Sequence, residues 1–171
     1  MEKEFILYEI WSLTTSGAFQ RANIYKTDSD EKGKKDFKKK LRALIIDIAK
    51  EYHKKVDVHT HLKNIKKVTE FRHPCLVNEK LNYGVSQKIL NLYLKYLWCL
   101  KFIPAPPHFP VDRIIQEKLN KGEFSKNEVI SWTKMENEDQ YLQIIKFAER
   151  IARNENISIA ELELKRYRRE D

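Results

Sequence analysis

Ser86-Gln-Lys-Ile-Leu-Asn-Leu-Tyr-Leu-Lys-Tyr-Leu-Trp-Cys-Leu-Lys101 is the most apolar segment of a 171-residue chain, and its reading decides the fold. Its polar members Lys88, Asn91 and Lys95 stand at i, i+3 and i+7. At 3.6 residues per turn they fall within a stripe about 60° wide. A helix that is apolar all round except along one narrow stripe belongs at the centre of a fold, with the stripe turned to solvent or to a cleft. Asn91 and Lys95 interrupt the apolar run, which is shorter than the roughly 20 residues needed to cross a bilayer, so membrane spanning is excluded.

The flanking sequence is amphipathic at helical spacing. Phe5, Ile6, Tyr8, Ile10, Trp11, Leu13 and Phe19 predict a first helix from Glu4 to about Ile24, with a break around Thr14 to Gly17. Thr27-Asp-Ser-Asp30 reads as a turn, and Phe37, Leu41, Leu44, Ile45, Ile48 and Tyr52 mark a long helix from Glu31 to Glu51. A third helix covers Thr60 to Phe71 and ends at His73-Pro74, because the residue before a proline is pushed out of the α region. Asn82-Tyr83-Gly84 reads as a turn before the central helix, and Pro104-Ala-Pro-Pro-His-Phe-Pro110 stops that helix. Asp112 is an N-cap for a short helix to Leu119. A polar connector with Gly122 and Trp132 leads to a helix over Glu136 to Asn154, and Ser158 caps the last one. Four glycines and five prolines are too few for a Gly-rich nucleotide fold or a turn-dense β-sandwich. The expectation is one all-α domain over residues 1–171, of about seven helices. Basic N-terminal helices fill residues 1–72, and a second segment spans 82–169.

Lys and Arg number 33 against 25 Asp and Glu, a net charge of +8 with a pI near 9.3. Such a surplus attracts polyanions through a long-range field, which makes nucleic acid the first partner to test. Two cysteines make no disulfide framework and the N-terminus lacks a signal-peptide layout, so a cytoplasmic, reducing setting is expected. The run from Lys32 to Arg42, including Lys34 and Lys38, reads either as a phosphate-contacting stripe or as an ordinary solvated face. Arg166 and Arg169 extend the positive charge into the tail around Tyr167, an aromatic able to stack on a base. His59 and His61 diverge by about 200° on a helix, and neither a Cys-x-x-Cys pair nor a His-Glu-x-x-His motif occurs. No metal and no cofactor is expected.

The order turn, Gly84-Val-Ser-Gln-Lys88, apolar helix, proline-rich loop, Pro110-Val-Asp112, helix resembles the helix-hairpin-helix Gly/Pro-Asp superfamily of DNA glycosylases. Within it the pattern is most similar to the archaeal 8-oxoguanine glycosylase branch, and the likeness covers Asn82 to Arg169, about half the chain. The hairpin departs from the usual Leu-Pro-Gly-Val-Gly by reading Leu81-Asn-Tyr-Gly-Val-Ser86. The resemblance implies that Lys88 is an amine nucleophile for the deoxyribose C1′, that Asp112 accepts its proton and stabilises positive charge on the sugar, and that the substrate is a damaged base in DNA, such as an oxidised purine. It also implies a phosphate grip by the backbone around Tyr83, Gly84, Ser86 and Gln87. Two other readings compete with a glycosylase/lyase. One is a non-catalytic helical module that binds nucleic acid; the other is a helical interaction protein whose charge serves solubility.

Overall fold

The computed structural model describes residues 1–120 and 129–167. Among them seven α-helices follow one another: α1 (Glu2–Phe19), α2 (Glu31–Ala49), α3 (Val58–Glu70), α4 (Tyr83–Cys99), α5 (Arg113–Leu119), α6 (Glu138–Asn154) and α7 (Ile159–Arg166). No strand forms among the described residues; two isolated bridges pair Tyr25 with Leu76 and Arg72 with Lys80. The chain is all-α, as its patterning predicts. No described helix is long and apolar enough to cross a membrane.

Helix α4 is the axis around which the others gather. Twelve of its seventeen residues are buried, and both α1 and α3 pack along it. Trp11 of α1 meets Tyr93 edge-on, with ring centroids 6.3 Å apart. On α2 the apolar side of Phe37, Leu41, Ile45 and Ile48 is buried, while Lys32, Lys35, Lys38, Lys39 and Lys40 face outward. The Phe37 ring touches Phe19, Tyr25, Phe71 and His73, tying α2 to the segments on either side of it.

Three boundaries differ from the sequence pattern, each for a local reason. Helix α1 runs unbroken through Thr14 to Gly17 and stops at Phe19, short of Ile24. Thr15 satisfies its hydroxyl by donating to the Trp11 carbonyl one turn back (3.1 Å). Gly17 serves a close approach: a Cβ there would lie 2.8 Å from Leu92 Cδ2 of α4. Helix α3 begins at Val58, because Asp57 caps it by accepting from the Thr60 N–H (2.9 Å). Helix α4 begins at Tyr83, not Ser86, because Asn82 accepts from the Val85 N–H (2.9 Å) and draws the expected turn into the first helical turn. The caps at Asp112 and Ser158 form as expected; Ser158 and Glu161 complete a capping box.

Gly84 lies inside that first turn of α4. A Cβ on it would sit 1.8 Å from the Trp132 carbonyl oxygen, a backbone atom of the 3-10 turn Trp132–Lys134. Gly84→Ala must therefore push the two segments apart, and overpacking of this kind predicts a loss of at least ~2 kcal/mol of stability. Urea denaturation of the variant checks it; a wild-type midpoint would show that the two backbones separate freely.

Candidate functional site

Lys88 leaves α4 into an open cleft with a volume of about 1010 Å³. Asp112 faces it from the start of α5: Lys88 Nζ lies 3.4 Å from Asp112 Oδ2. The two carboxylate oxygens divide their work, since Oδ1 accepts from the Ile115 N–H (3.0 Å) as the helix cap. Lys88 Nζ also sits 3.9 Å from the centre of the Trp132 ring. Both charged residues are only 8% exposed. Burial is the main influence on Lys88 and pushes its pKa below the ordinary lysine range; Asp112 opposes the shift and Arg21 adds to it. Withdrawal from water disfavours the ammonium, whereas a carboxylate close by favours it, and here the first effect is the larger.

Side-chain amides fix this geometry. The Gln87 amide nitrogen donates to the Val111 carbonyl (2.8 Å), and the Val111 N–H donates to Gln87 Oε1 (3.1 Å). This two-point bond fastens the residue before Asp112 to the residue before Lys88. One turn on, Asn91 Nδ2 donates toward the Phe109 carbonyl (3.1 Å) and the Tyr141 hydroxyl (3.0 Å), which seats the proline-rich loop on α4. Gln116 of α5 repeats the device: its amide donates to the Ile130 carbonyl and its oxygen accepts from the Ile130 N–H, both at 2.9 Å. Trp132 follows two residues later. Asn82 Nδ2 donating to the Thr133 carbonyl (2.6 Å), and Gly84 N–H to the Met135 carbonyl (3.0 Å), hold the same turn against α4.

The polar stripe on α4 divides. Lys88 and Lys95 line the cleft, whereas Asn91 is fully buried in the network just described. Lys95 Nζ donates to Glu163 Oε1 (2.7 Å) and lies 4.5 Å from the centre of the Tyr167 ring. Glu163, on α7, is 1% exposed; burial pushes its carboxyl pKa up, against the pull of Lys95. Six cationic side chains line the cleft, Arg21, Lys38, Lys88, Lys95, Arg113 and Lys118, against the carboxylates of Asp112 and Glu163. The cleft is basic.

No protein family, curated protein or solved structure matches this chain. The geometry therefore stands by itself. Of the residues singled out in the sequence, Lys88 and Asp112 come together. Tyr83, Gly84, Ser86 and Gln87 are buried behind them. The Gly84 amide goes to Met135, that of Val85 to the Asn82 side chain and that of Ser86 to the Asn82 carbonyl, so these amides are not turned out to grip a phosphate. Of the α2 cations, Lys38 lines the cleft. Lys34 instead pairs with Glu31 (2.9 Å), and the Arg42 guanidinium stacks on Tyr8 at 3.8 Å. Arg166 pairs with Glu155, and Arg169 and Gly122 lie outside the described residues. On α3 His59 is exposed and His61 buried, where Tyr52 and His108 adjoin it. Trp132 and Glu163 escaped sequence reading. Trp132 stands in a connector without periodicity, and Glu163 occupies a short helix whose carboxylates look alike in sequence.

Two outcomes follow from this geometry. In Asp112→Asn the charge that raises the Lys88 pKa is gone, so the pKa falls further below the ordinary range; a ¹³C NMR titration of reductively methylated protein reads this directly, and an upward shift would contradict it. Gln87→Leu leaves the Val111 N–H and carbonyl buried without partners, which costs about 2–4 kcal/mol. Denaturation curves of the variant measure that loss, and a change under 1 kcal/mol would mean that the clamp is dispensable.

Proposed function

We propose that this chain is a DNA glycosylase with lyase activity that removes a damaged base, such as an oxidised purine, using Lys88 as nucleophile and Asp112 as its charge partner. The observation that carries the reading is a desolvated amine 3.4 Å from a carboxylate on the wall of a basic cleft. An ammonium is not nucleophilic, and burial that lowers the Lys88 pKa increases the free amine available near neutral pH. The amine attacks C1′ of the deoxyribose; the new N–C1′ bond replaces the bond to the base, which leaves with a proton. Asp112 takes a proton from the attacking nitrogen, and its charge stabilises positive charge developing on the sugar. The nitrogen lone pair then expels the ring oxygen, which is protonated, leaving an iminium. Loss of a C2′ proton from that iminium eliminates the 3′ phosphate and cuts the strand. Lys38, Arg21 and Arg113 at the cleft supply charge that attracts phosphate. A base must leave the duplex to reach such a site.

One observation favours a second reading, a helical module that binds nucleic acid without catalysis: the amides from Gly84 to Ser86 are already engaged inside the protein. The two readings part on a covalent test. With duplexes bearing an abasic site or 8-oxoguanine, the catalytic reading expects a borohydride-trapped complex from the wild-type protein and none from Lys88→Gln, with circular dichroism unchanged. The binding module expects salt-dependent affinity, no trapped complex, and little effect of Lys88→Gln on affinity. No trapping by wild-type protein on either duplex would sink the glycosylase/lyase reading.

A further inference from the structure

A second polar cluster is buried away from the cleft, and nothing in the Schiff-base chemistry uses it. His61 and Asn64 reach it from α3, Asn91 from α4, His108 from the proline-rich loop, Tyr141 from α6 and Tyr52 from the 3-10 turn Lys50–His53. The two histidines and two asparagines are at most 1% exposed, and none of the six residues lines the cleft. His61 Nε2, His108 Nε2, Asn64 Oδ1 and Asn91 Oδ1 have no hydrogen-bond partner among the described residues. Buried polar atoms are rarely left in that state, because each forfeits its hydration. We infer that these four atoms enclose a binding site for one internal water, which accepts from the two imidazole N–H groups and donates to the two amide carbonyls. The inference does not depend on the reading of Lys88 as a nucleophile.

The occupant follows from counting protons. Asn64 Nδ2 donates to Glu51 Oε2 (2.9 Å), which fixes the orientation of that amide. Asn91 Nδ2 faces the Phe109 carbonyl (3.1 Å) and Gln87 Oε1 (3.2 Å), which fixes the other. Both Oδ1 atoms are therefore acceptors in need of a donor. Each tyrosine hydroxyl has one proton to give. Tyr52 meets His61 Nδ1 at 2.8 Å and Tyr141 meets His108 Nδ1 at 3.0 Å, while the amide nitrogens beside them, Asn64 Nδ2 and Asn91 Nδ2, are donors. Both hydroxyl protons thus go to an imidazole Nδ1. Burial keeps the two rings neutral, pushing the His108 pKa down to about 4 and that of His61 well below the ordinary range. A neutral imidazole that accepts at Nδ1 carries its proton on Nε2. The cluster presents two N–H donors and two carbonyl acceptors.

That set discriminates among small ligands. A transition metal needs the Nε2 lone pairs, and those nitrogens are protonated. An anion would face two carbonyl oxygens, and a simple cation would face two N–H groups. Water, with two lone pairs and two protons, matches all four, and buried waters typically make about three such bonds. The parts are near one another. The His61 and His108 ring centroids are 4.9 Å apart, and Asn64 follows His61 by one turn on the same face of α3. Asn91 pulls the His61 pKa back up against burial, as an acceptor facing the ring N–H does, yet neither atom finds a bonded partner. A water here joins α3 to α4 and to the loop that leads to Asp112.

The test uses the full chain labelled with ¹⁵N at histidine. Two-bond ¹H–¹⁵N spectra near neutral pH are expected to show His61 and His108 as neutral Nε2–H tautomers, each with an observable Hε2. Rotating-frame Overhauser spectra are expected to connect both Hε2 protons to water by dipolar contact and not by exchange. Added Zn²⁺ is expected to leave the ring nitrogens of both residues unshifted. Solvent ¹⁷O relaxation dispersion counts long-resident waters, and His108→Phe is expected to lose one relative to wild type. Should that variant fold poorly, the wild-type spectra decide alone. The inference is overturned by an Nδ1–H tautomer in either ring, by Hε2 protons without dipolar contact to water, by zinc that shifts both Nε2 resonances, or by an unchanged water count in folded His108→Phe.

Discussion

The two-point bond between Gln87 and Val111 is the constraint on which the site depends. It joins the central helix to a loop 24 residues further on, and the residues next to its two ends are Lys88 and Asp112. Individual hydrogen bonds of this kind contribute about 1 kcal/mol net, but a partner removed from a buried pair leaves polar groups with nowhere to turn. The geometry is therefore held more by the cost of breaking it than by the strength of any one contact. The Gln116–Ile130 bond extends the same logic to Trp132, so the two side chains against the amine, Asp112 and Trp132, come from segments fixed by side-chain amides.

That scaffold explains the electrostatics. Lys88 loses more from leaving water than Asp112 returns at 3.4 Å, and its pKa moves down. Over at Lys95 the carboxylate is nearer, at 2.7 Å, and the feature that stands out is the raised carboxyl of Glu163. The same two residue types, placed two turns apart on α4, thus have different tasks: one lysine is eased toward the free amine, while the other is held in a short charge-assisted bond.

Much of the fold was legible because it rests on periodicity. The apolar run from Ile89 to Leu100 announced a central helix, and the amphipathic patterns of α2 and α6 announced their inner faces. Caps were legible where a single residue decides them, as at Asp112 and Ser158. Illegible were features set by what lies far away in sequence. Gly17 and Gly84 look like helix breakers or turn residues until the Leu92 side chain and the Trp132 carbonyl are seen against them. Asn91 looks like part of a solvent-facing stripe until Tyr141, 50 residues on, supplies its partner. The pairing of Lys88 with Asp112 was read from motif order, but neither the Trp132 ring over the amine nor the Lys95–Glu163 pair has a signal in the linear sequence.

The positive charge of the chain is now divided by use. Lys40, Lys50 and Lys67 are tied to neighbouring acids at the surface, whereas Arg21, Lys38 and Arg113 stand at the cleft. Because Lys95 shares that cleft, loss of the proposed activity in a Lys88 variant would not by itself identify Lys88 as the nucleophile. The most direct measurement is peptide mapping by mass spectrometry after borohydride reduction of the protein with an abasic duplex and nuclease digestion of the DNA. The sugar remnant is expected on Lys88. A remnant on Lys95 or on the α2 lysines, or no adduct at all, would contradict the account.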